Sequence, residues 1–365
     1  MINVRIIHET NPRKYFGAIY KLESKGLIRI VAQNRISVFK EWLRAGIKDR
    51  SPFLERSKNS ISDLLGRLTL PFISSEVVII GMAPWDVRVL WFLLLNRTNS
   101  IIYHTSWHCW SERKVPRNYG FINHVLILIW KRFLYQENVR VVCIHSGVAK
   151  SLAEYFGEGI NKKISIIPHS LNDEFFSSVR NDKGSVERKF LYVGELSEKK
   201  GVHDLIVAIN SKQLSCVKLD IVGDGPLREY IKTSTLDNES ISYFGKITDK
   251  HELVSIFSDN DFLVLMSKKI EGWEELFGIV IIEALAAGLI VLASDHVGPR
   301  IIFSGCDYPL FEENDFDGVE KFINHICSNS REKDRLIALG KNISSCYSQA
   351  RVCDEWYTLL KGGRQ

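Results

Sequence analysis

The sequence predicts an α/β chain of two Rossmann-like, doubly wound domains facing across a cleft. Three observations predict it. At 365 residues the chain exceeds the size at which one hydrophobic core keeps growing, so two domains are expected. Short, nearly continuous apolar runs alternate with helical stretches, the pattern of parallel sheets covered on both faces. One polar stretch near the middle, SSVRNDKGSVERK (177–189), interrupts the alternation and reads as a hinge.

The elements follow in order. In the first half the strand candidates are NVRIIHE (3–9), LIRIVAQ (27–33), EVVIIG (76–81), SIIYH (100–104), RVVCIHS (140–146) and ISIIP (164–168). In the second they are KFLYVGEL (189–196), VKLDIVG (217–223), SISYFG (240–245), DFLVLMS (261–267) and LIVLAS (289–294), separated by helical stretches near 202–210, 226–234, 249–258 and 279–287. The tail SCYSQARVCDEWYTLLK (345–361) reads as an amphipathic helix. The domains expected are 1–177, a hinge at 178–188, a second domain at 189–345, and a helix within 346–365 that packs back toward the first. Such folds bind ligands at the carboxyl ends of their strands.

Composition narrows the function. The longest apolar runs, VLWFLLL (89–95) and HVLILIW (124–130), are far shorter than a membrane span, and MINVRIIHE reads as a strand and not a signal peptide. Seven scattered cysteines without a Cys-x-x-Cys pair read as reduced thiols in a cytosolic protein. Residues 1–180 hold 26 Lys+Arg against 14 Asp+Glu, whereas the remainder holds 22 against 29. A basic half joined to an acidic half suggests a polyanionic surface facing the first, either a membrane or a nucleic acid. No recognised nucleic-acid module is present, so no nucleic-acid partner is expected.

The chemistry is densest in GWEELFGIVIIEALAAG (272–288). Gly278 at the mouth of a helix lets a ligand approach the backbone, and the first-turn N–H groups of Gly278, Ile279 and Val280 form an anion site suited to a diphosphate. Glu275 precedes this helix and Glu283 lies in its second turn, among apolar residues where a carboxylate is costly to bury unpaired. Carboxylates beside a phosphate site accept hydrogen bonds from sugar hydroxyls.

Read as E-x-F-G-x4-E-A-x-A-x-G, this stretch resembles the signature of retaining glycosyltransferases of family four, which have the GT-B fold. LIVLASDHVGPR (289–300), FLYVGELSEKKGVHDLIVAI (190–209), LDIVGDGPLREYI (219–231) and ISYFGKI (241–247) resemble further motifs of that family, in order and spacing, over roughly 139–305. The resemblance implies that Glu283 binds the ribose hydroxyls of a sugar nucleotide, that Glu275 holds the donor sugar, and that the amides at 278–280 hold the diphosphate. Lys200 matches the lysine that grips the diphosphate, but Glu195 stands where the family has an arginine. Either Lys199 or Arg300 substitutes for it, or Glu195 turns away and the donor is held differently. Gly223 and Lys246 would lie near the nucleotide.

In the first half, His104 matches a histidine that the family places near the reacting centre, with His108 second. Gly17 alone stands in for the family's Gly-Gly loop after the first strand. The basic, aromatic-rich segments ERKVPRNYGFINHVLILIWKRFLY (112–135) and FKEWLRAGIKDR (39–50) suit an anionic membrane surface. No metal cluster or nucleophile motif is recognised, and no metal or cofactor is expected. The expectation is a metal-independent retaining glycosyltransferase, on the inner face of the plasma membrane, that takes a UDP- or GDP-sugar and a lipid-linked or saccharide acceptor. The alternatives are a non-catalytic sugar-nucleotide-binding partner protein, a nucleic-acid-binding protein motivated by the basic first half and, more weakly, a sugar-nucleotide epimerase of the same fold.

Overall fold

The computed structural model describes residues 1–9, 11–36, 68–93, 98–110, 122–177, 188–271, 273–276 and 278–362, with positions 61, 65, 95 and 120 besides. It divides into two compact units, Met1–Ser170 with Gln349–Gln365, and Leu171–Ser348.

The first unit holds a six-stranded sheet in the order β2-β1-β3-β4-β5-β6. Its strands are β1 (Ile2–His8), β2 (Ile28–Arg35), β3 (Val77–Gly81), β4 (Ser100–Thr105), β5 (Val139–Cys143) and β6 (Ile164–Ile166). The second holds a five-stranded sheet in the order β11-β10-β7-β8-β9. Its strands are β7 (Arg188–Glu195), β8 (Val217–Asp224), β9 (Ile241–Gly245), β10 (Phe262–Leu265) and β11 (Ile290–Ala293). Every pairing in both sheets is parallel. Each strand lies on one of the apolar runs read from the sequence. β3 and β10 are buried at every position, as strands with helices on both faces must be.

The boundaries differ from those expected. The first unit ends at Ser170 and not at 177, because Leu171 and Phe175 are buried in the core of the second. The short helix Glu174–Ser177 packs on helices Lys250–Ser258 and Ile279–Ala287. The expected hinge, 178–188, lies outside the described residues except for Arg188, which begins β7. The terminal helix, Gln349–Gly362, packs against helix Gly17–Ser24, and its Val352, Trp356 and Leu360 enter the core of the first unit. Arg140 of β5 donates to the Gly362 carbonyl at 2.7 Å.

In the second unit the strand order reverses between β10 and β7. That topological switch point opens a crevice at the carboxyl ends of those two strands, where doubly wound sheets bind ligands.

Candidate functional site

The segments that leave β7 and β10 meet at this switch point. Gly201 sits in the left-handed region at φ 75°, and a side chain there would meet the Met266 carbonyl at 1.9 Å. A residue with a Cβ would therefore force the two segments apart. Lys268 N–H donates to the Lys199 carbonyl at 2.8 Å, so the two backbones are directly joined.

This docking brings Lys200 to Glu275. The Lys200 Nζ donates to Glu275 Oε2 in a partly buried ion pair, and the same ammonium lies 5.0 Å from the centre of the Trp273 ring. Lys199 stands 5.1 Å from that ring. The loop bearing Trp273 and Glu275 is a tight turn, since Ile270 and Trp273 exchange N–H···O=C bonds of 3.1 and 3.0 Å.

Helix Ile279–Ala287 begins immediately after this loop. Its N-cap, Gly278, is left-handed at φ 65°, which swings the chain from the loop into the helix. No described group accepts from the N–H groups of Gly278, Ile279 or Val280, and these carry the positive end of the helix dipole. Glu283 is half-buried on this helix, with no hydrogen-bond or ion-pair partner among the described residues. Burial alone pushes its carboxyl up to about 7.

Beside the crevice, an open pocket of about 590 Å³ lies between the ends of β7 and β8 and the loop after β9, lined in part by Glu195, Gly223, Asp224 and Lys246. Glu195 is thus in the wall of a pocket, and its Oε2 pairs with Lys199 Nζ at 3.0 Å. That pairing holds the Glu195 carboxyl below its usual range. Lys199, expected to substitute for the family's arginine, is therefore paired with the glutamate that stands in that arginine's place. Arg300, the other expected substitute, is exposed and chelates Asp295, 2.7 Å from its Oδ2.

Three groups in this region gave no signal in the sequence. His296 is buried, accepts the Glu275 N–H on Nδ1 at 3.4 Å, and places Nε2 3.0 Å from Glu313 Oε1. Trp273 flanks both lysines. One candidate cation cluster appears among the described residues, Glu198 with His203 and Asp204. Lys268 Nζ already sits 2.6 Å from the Asp204 carboxylate, supplying the positive charge there.

In the first unit, His104 lies at the carboxyl end of β4 and is buried. Its ring packs edge-on to Phe16 at 4.9 Å, and lies 5.6 Å from His169 and 6.3 Å from Trp356. His8 at the end of β1 stacks on Tyr15 at 4.9 Å. Gly17 opens the helix after β1. His145 caps helix Ser146–Phe156 by accepting the Val148 N–H at 3.2 Å. His108 is half-buried beside Trp107.

His104, His145 and His169 resist protonation. Burial lowers His104 well below the ordinary value, helped by His169 and His8. Burial also takes His145 down to about 4, with His108 and His169 adding to the effect. Burial lowers His169, offset by a bond to the Tyr15 carbonyl. A folded state that binds fewer protons than the unfolded chain loses stability as protons are added. Stability from this cluster should be full above the ordinary histidine value of about 6.5 and decline as pH falls toward 4. The urea midpoint of the first unit should accordingly be lower at pH 5 than at pH 7.5. Equal midpoints would show that the cluster does not couple to folding.

Residues 173–342, within the second unit, match the family model described as Glycosyl transferases group 1. The chain is similar to the amylovoran biosynthesis glycosyltransferase AmsK of Erwinia amylovora, 28% identical over 148 residues, 39% of this chain and 36% of that protein. It is also similar to glycogen synthase of Mycobacterium tuberculosis, 27% identical over 172 residues, 46% of this chain and 40% of that protein. These matches span well under half the length of either relative. Among solved structures, Anabaena HepE in complex with UDP superposes with a TM-score of 0.69 at 14% identity, over 99% of this chain and 100% of that one. Sucrose-phosphate synthase from Thermosynechococcus elongatus superposes at 0.68 with 16% identity, over 99% of each chain. The fold is α/β with two parallel sheets, of the GT-B type.

Proposed function

We propose that this chain is a retaining glycosyltransferase of family four. It would move a sugar from a nucleoside diphosphate sugar to a lipid-linked or saccharide acceptor in cell-surface polysaccharide or lipopolysaccharide assembly. The observation that carries the reading is the meeting of Lys200 with Glu275 at the switch point, directly before a helix mouth with open amides and a desolvated Glu283. Each part suits one portion of such a donor. The amides and Lys200 suit the diphosphate, Glu275 the transferred sugar, Glu283 the ribose, and the pocket by Gly223 and Lys246 the base. The complexes of HepE with UDP and with UDP-glucose support a uridine donor, with a GDP-sugar as the other candidate.

In this reading the work is electrostatic. Lys200 and the helix amides hold the charge that gathers on the departing nucleoside diphosphate while the sugar acquires oxocarbenium character. Because they supply that charge from the protein itself, the proposal requires no metal and no cofactor. His104 is proposed to act through the neutral imidazole that its burial enforces.

The acceptor is assigned to the basic first unit. Helix Ile122–Leu134 supports contact with an anionic membrane, since it exposes Ile122, Val125 and Leu128 beside exposed Lys131 and Arg132. The segments 39–50 and 112–119, also read as interfacial, lie outside the described residues. No described helix is long and apolar enough to cross a membrane.

The test is a thermal-shift panel of UDP-, GDP-, ADP- and dTDP-sugars, since a ligand that binds only the folded state raises its melting temperature. One class should stabilise the protein and be hydrolysed slowly to the nucleoside diphosphate without acceptor. Glu195 in the pocket wall favours a second reading, a non-catalytic sugar-nucleotide-binding partner. Stabilisation by a donor without any hydrolysis or transfer would select it. No shift with any of the four would refute both.

A further inference from the structure

We infer that His296 and Glu313 form a clamp that positions Glu275, and that this clamp is needed to place the donor sugar; the second clause rests on the reading above. The loop between β10 and helix Ile279–Ala287 carries Glu275 near its end. Glu313 holds that loop at both ends through a single oxygen. Its Oε1 accepts the Lys269 N–H at 2.9 Å at the start of the loop, and lies 3.0 Å from His296 Nε2. His296 in turn accepts the Glu275 N–H on Nδ1 at 3.4 Å.

The bonds define the tautomer. Nδ1 accepts from an amide and therefore carries no proton, so the ring proton is on Nε2 and is donated to Glu313. Two more bonds tie the same segments. Gly298 N–H donates to the Glu275 carbonyl at 2.8 Å, and Val297 N–H to Glu274 at 3.2 Å. Glu274 also pairs with Lys269 at 2.9 Å, closing the loop on itself. The base of the clamp is rigid too, because Asp295 N–H donates to the Phe311 carbonyl at 2.7 Å and Phe311 N–H to the Ala293 carbonyl at 3.0 Å.

His296 is 2% exposed, and the bond it makes to Glu275 is to the main-chain N–H and not to the side chain. It is a positioning residue: it acts on Glu275 through the main chain. A carboxylate that must meet sugar hydroxyls has to be held to within a fraction of an ångström, and outer partners of this kind are typically worth about 10–100-fold in activity.

The experiment compares His296→Ala, Glu313→Ala and Glu313→Gln with the parent protein. Glutamine keeps an oxygen that can accept from both Lys269 N–H and His296 Nε2–H, so it should retain the clamp, whereas the two alanine variants should lose it. Hydrogen exchange of the amides at 273–276, measured without any sugar nucleotide, should speed up at least tenfold in both alanine variants and stay near the parent rate in Glu313→Gln. Unchanged exchange in His296→Ala would overturn the clamp itself. With the stabilising donor from the panel, kcat should fall about 10–100-fold in the alanine variants, while affinity for the bare nucleoside diphosphate stays within twofold. Equal weakening of the bare diphosphate would overturn the positioning role. His296→Ala added to Glu275→Gln should bring little further loss of kcat, and a full multiplicative loss would also overturn it. If exchange responds as expected and no sugar nucleotide binds the parent protein, the clamp stands and the assignment of function falls.

Discussion

Lys200→Met should reduce sugar transfer by about 10²–10³-fold, the range found when one preorganised donor to a developing charge is removed. The ammonium lies between the Trp273 ring and the Glu275 carboxylate, held there by the close approach of Gly201 to Met266. Methionine keeps the unbranched apolar stem, one atom shorter, but supplies neither charge nor proton. The same change leaves Glu275, which is 8% exposed, as a carboxylate without its partner. That costs stability as well, by less than the about 3–5 kcal/mol of a fully buried pair, since the Lys200 side chain is 19% exposed. Folding and chemistry are separated by adding Glu275→Gln. The double variant removes the stranded charge, so its melting temperature should recover toward that of the parent protein while transfer stays low. Turnover of Lys200→Met within threefold of the parent value, measured at saturating donor, would refute the role of Lys200.

How far the sequence reveals such a site depends on how local the signal is. All eleven described strands were legible from their apolar runs, most plainly β3 and β10, which are buried on both faces, whereas β2, β6 and β9 at the sheet edges keep exposed positions. The glutamates at 275 and 283 were legible because loop, helix start and second carboxylate are contiguous in the chain. Lys200 was legible by its place before Gly201, although only the structure shows why glycine is required there. His296 and Glu313 were not. They are 21 and 38 residues from Glu275, and nothing in SDHVGPR or FEEND announces that a histidine and a carboxylate will meet beneath a loop. The pairing of Glu195 with Lys199 was equally hidden, because it depends on the turn at Glu198–Lys200 that brings residues four apart together. The boundary at Ser170 was missed for a related reason. Leu171 and Phe175 look like the end of the first half in sequence, and only packing assigns them to the second core.

Glu283 leads to an expected pH dependence with a definite sign. Its carboxyl is pushed up to about 7 by burial, without a described cation to offset it. In the empty protein it is therefore largely protonated below that value. Ribose hydroxyls donate hydrogen bonds, which favour the ionised form, so binding the donor should release a proton. Affinity should be near its maximum above pH 8 and weaken by about tenfold from pH 8 to pH 6, following the protonated fraction of a group titrating near 7. Stability of the empty protein runs the other way. A carboxyl raised above its ordinary range favours folding at low pH, and that contribution fades as pH rises through about 7. The binding measurement should use a sugar nucleotide, whose diphosphate is esterified at both ends and keeps a constant charge over this range. Isothermal titration in buffers of different ionisation enthalpy would count the proton directly. Glu283→Gln should flatten the profile, since an amide does not titrate, and Glu283→Ala should in addition weaken binding at every pH. A parent profile that is already flat between pH 6 and 8 would mean that the ribose does not meet this carboxylate, and the donor would then have to be seated elsewhere in the second unit.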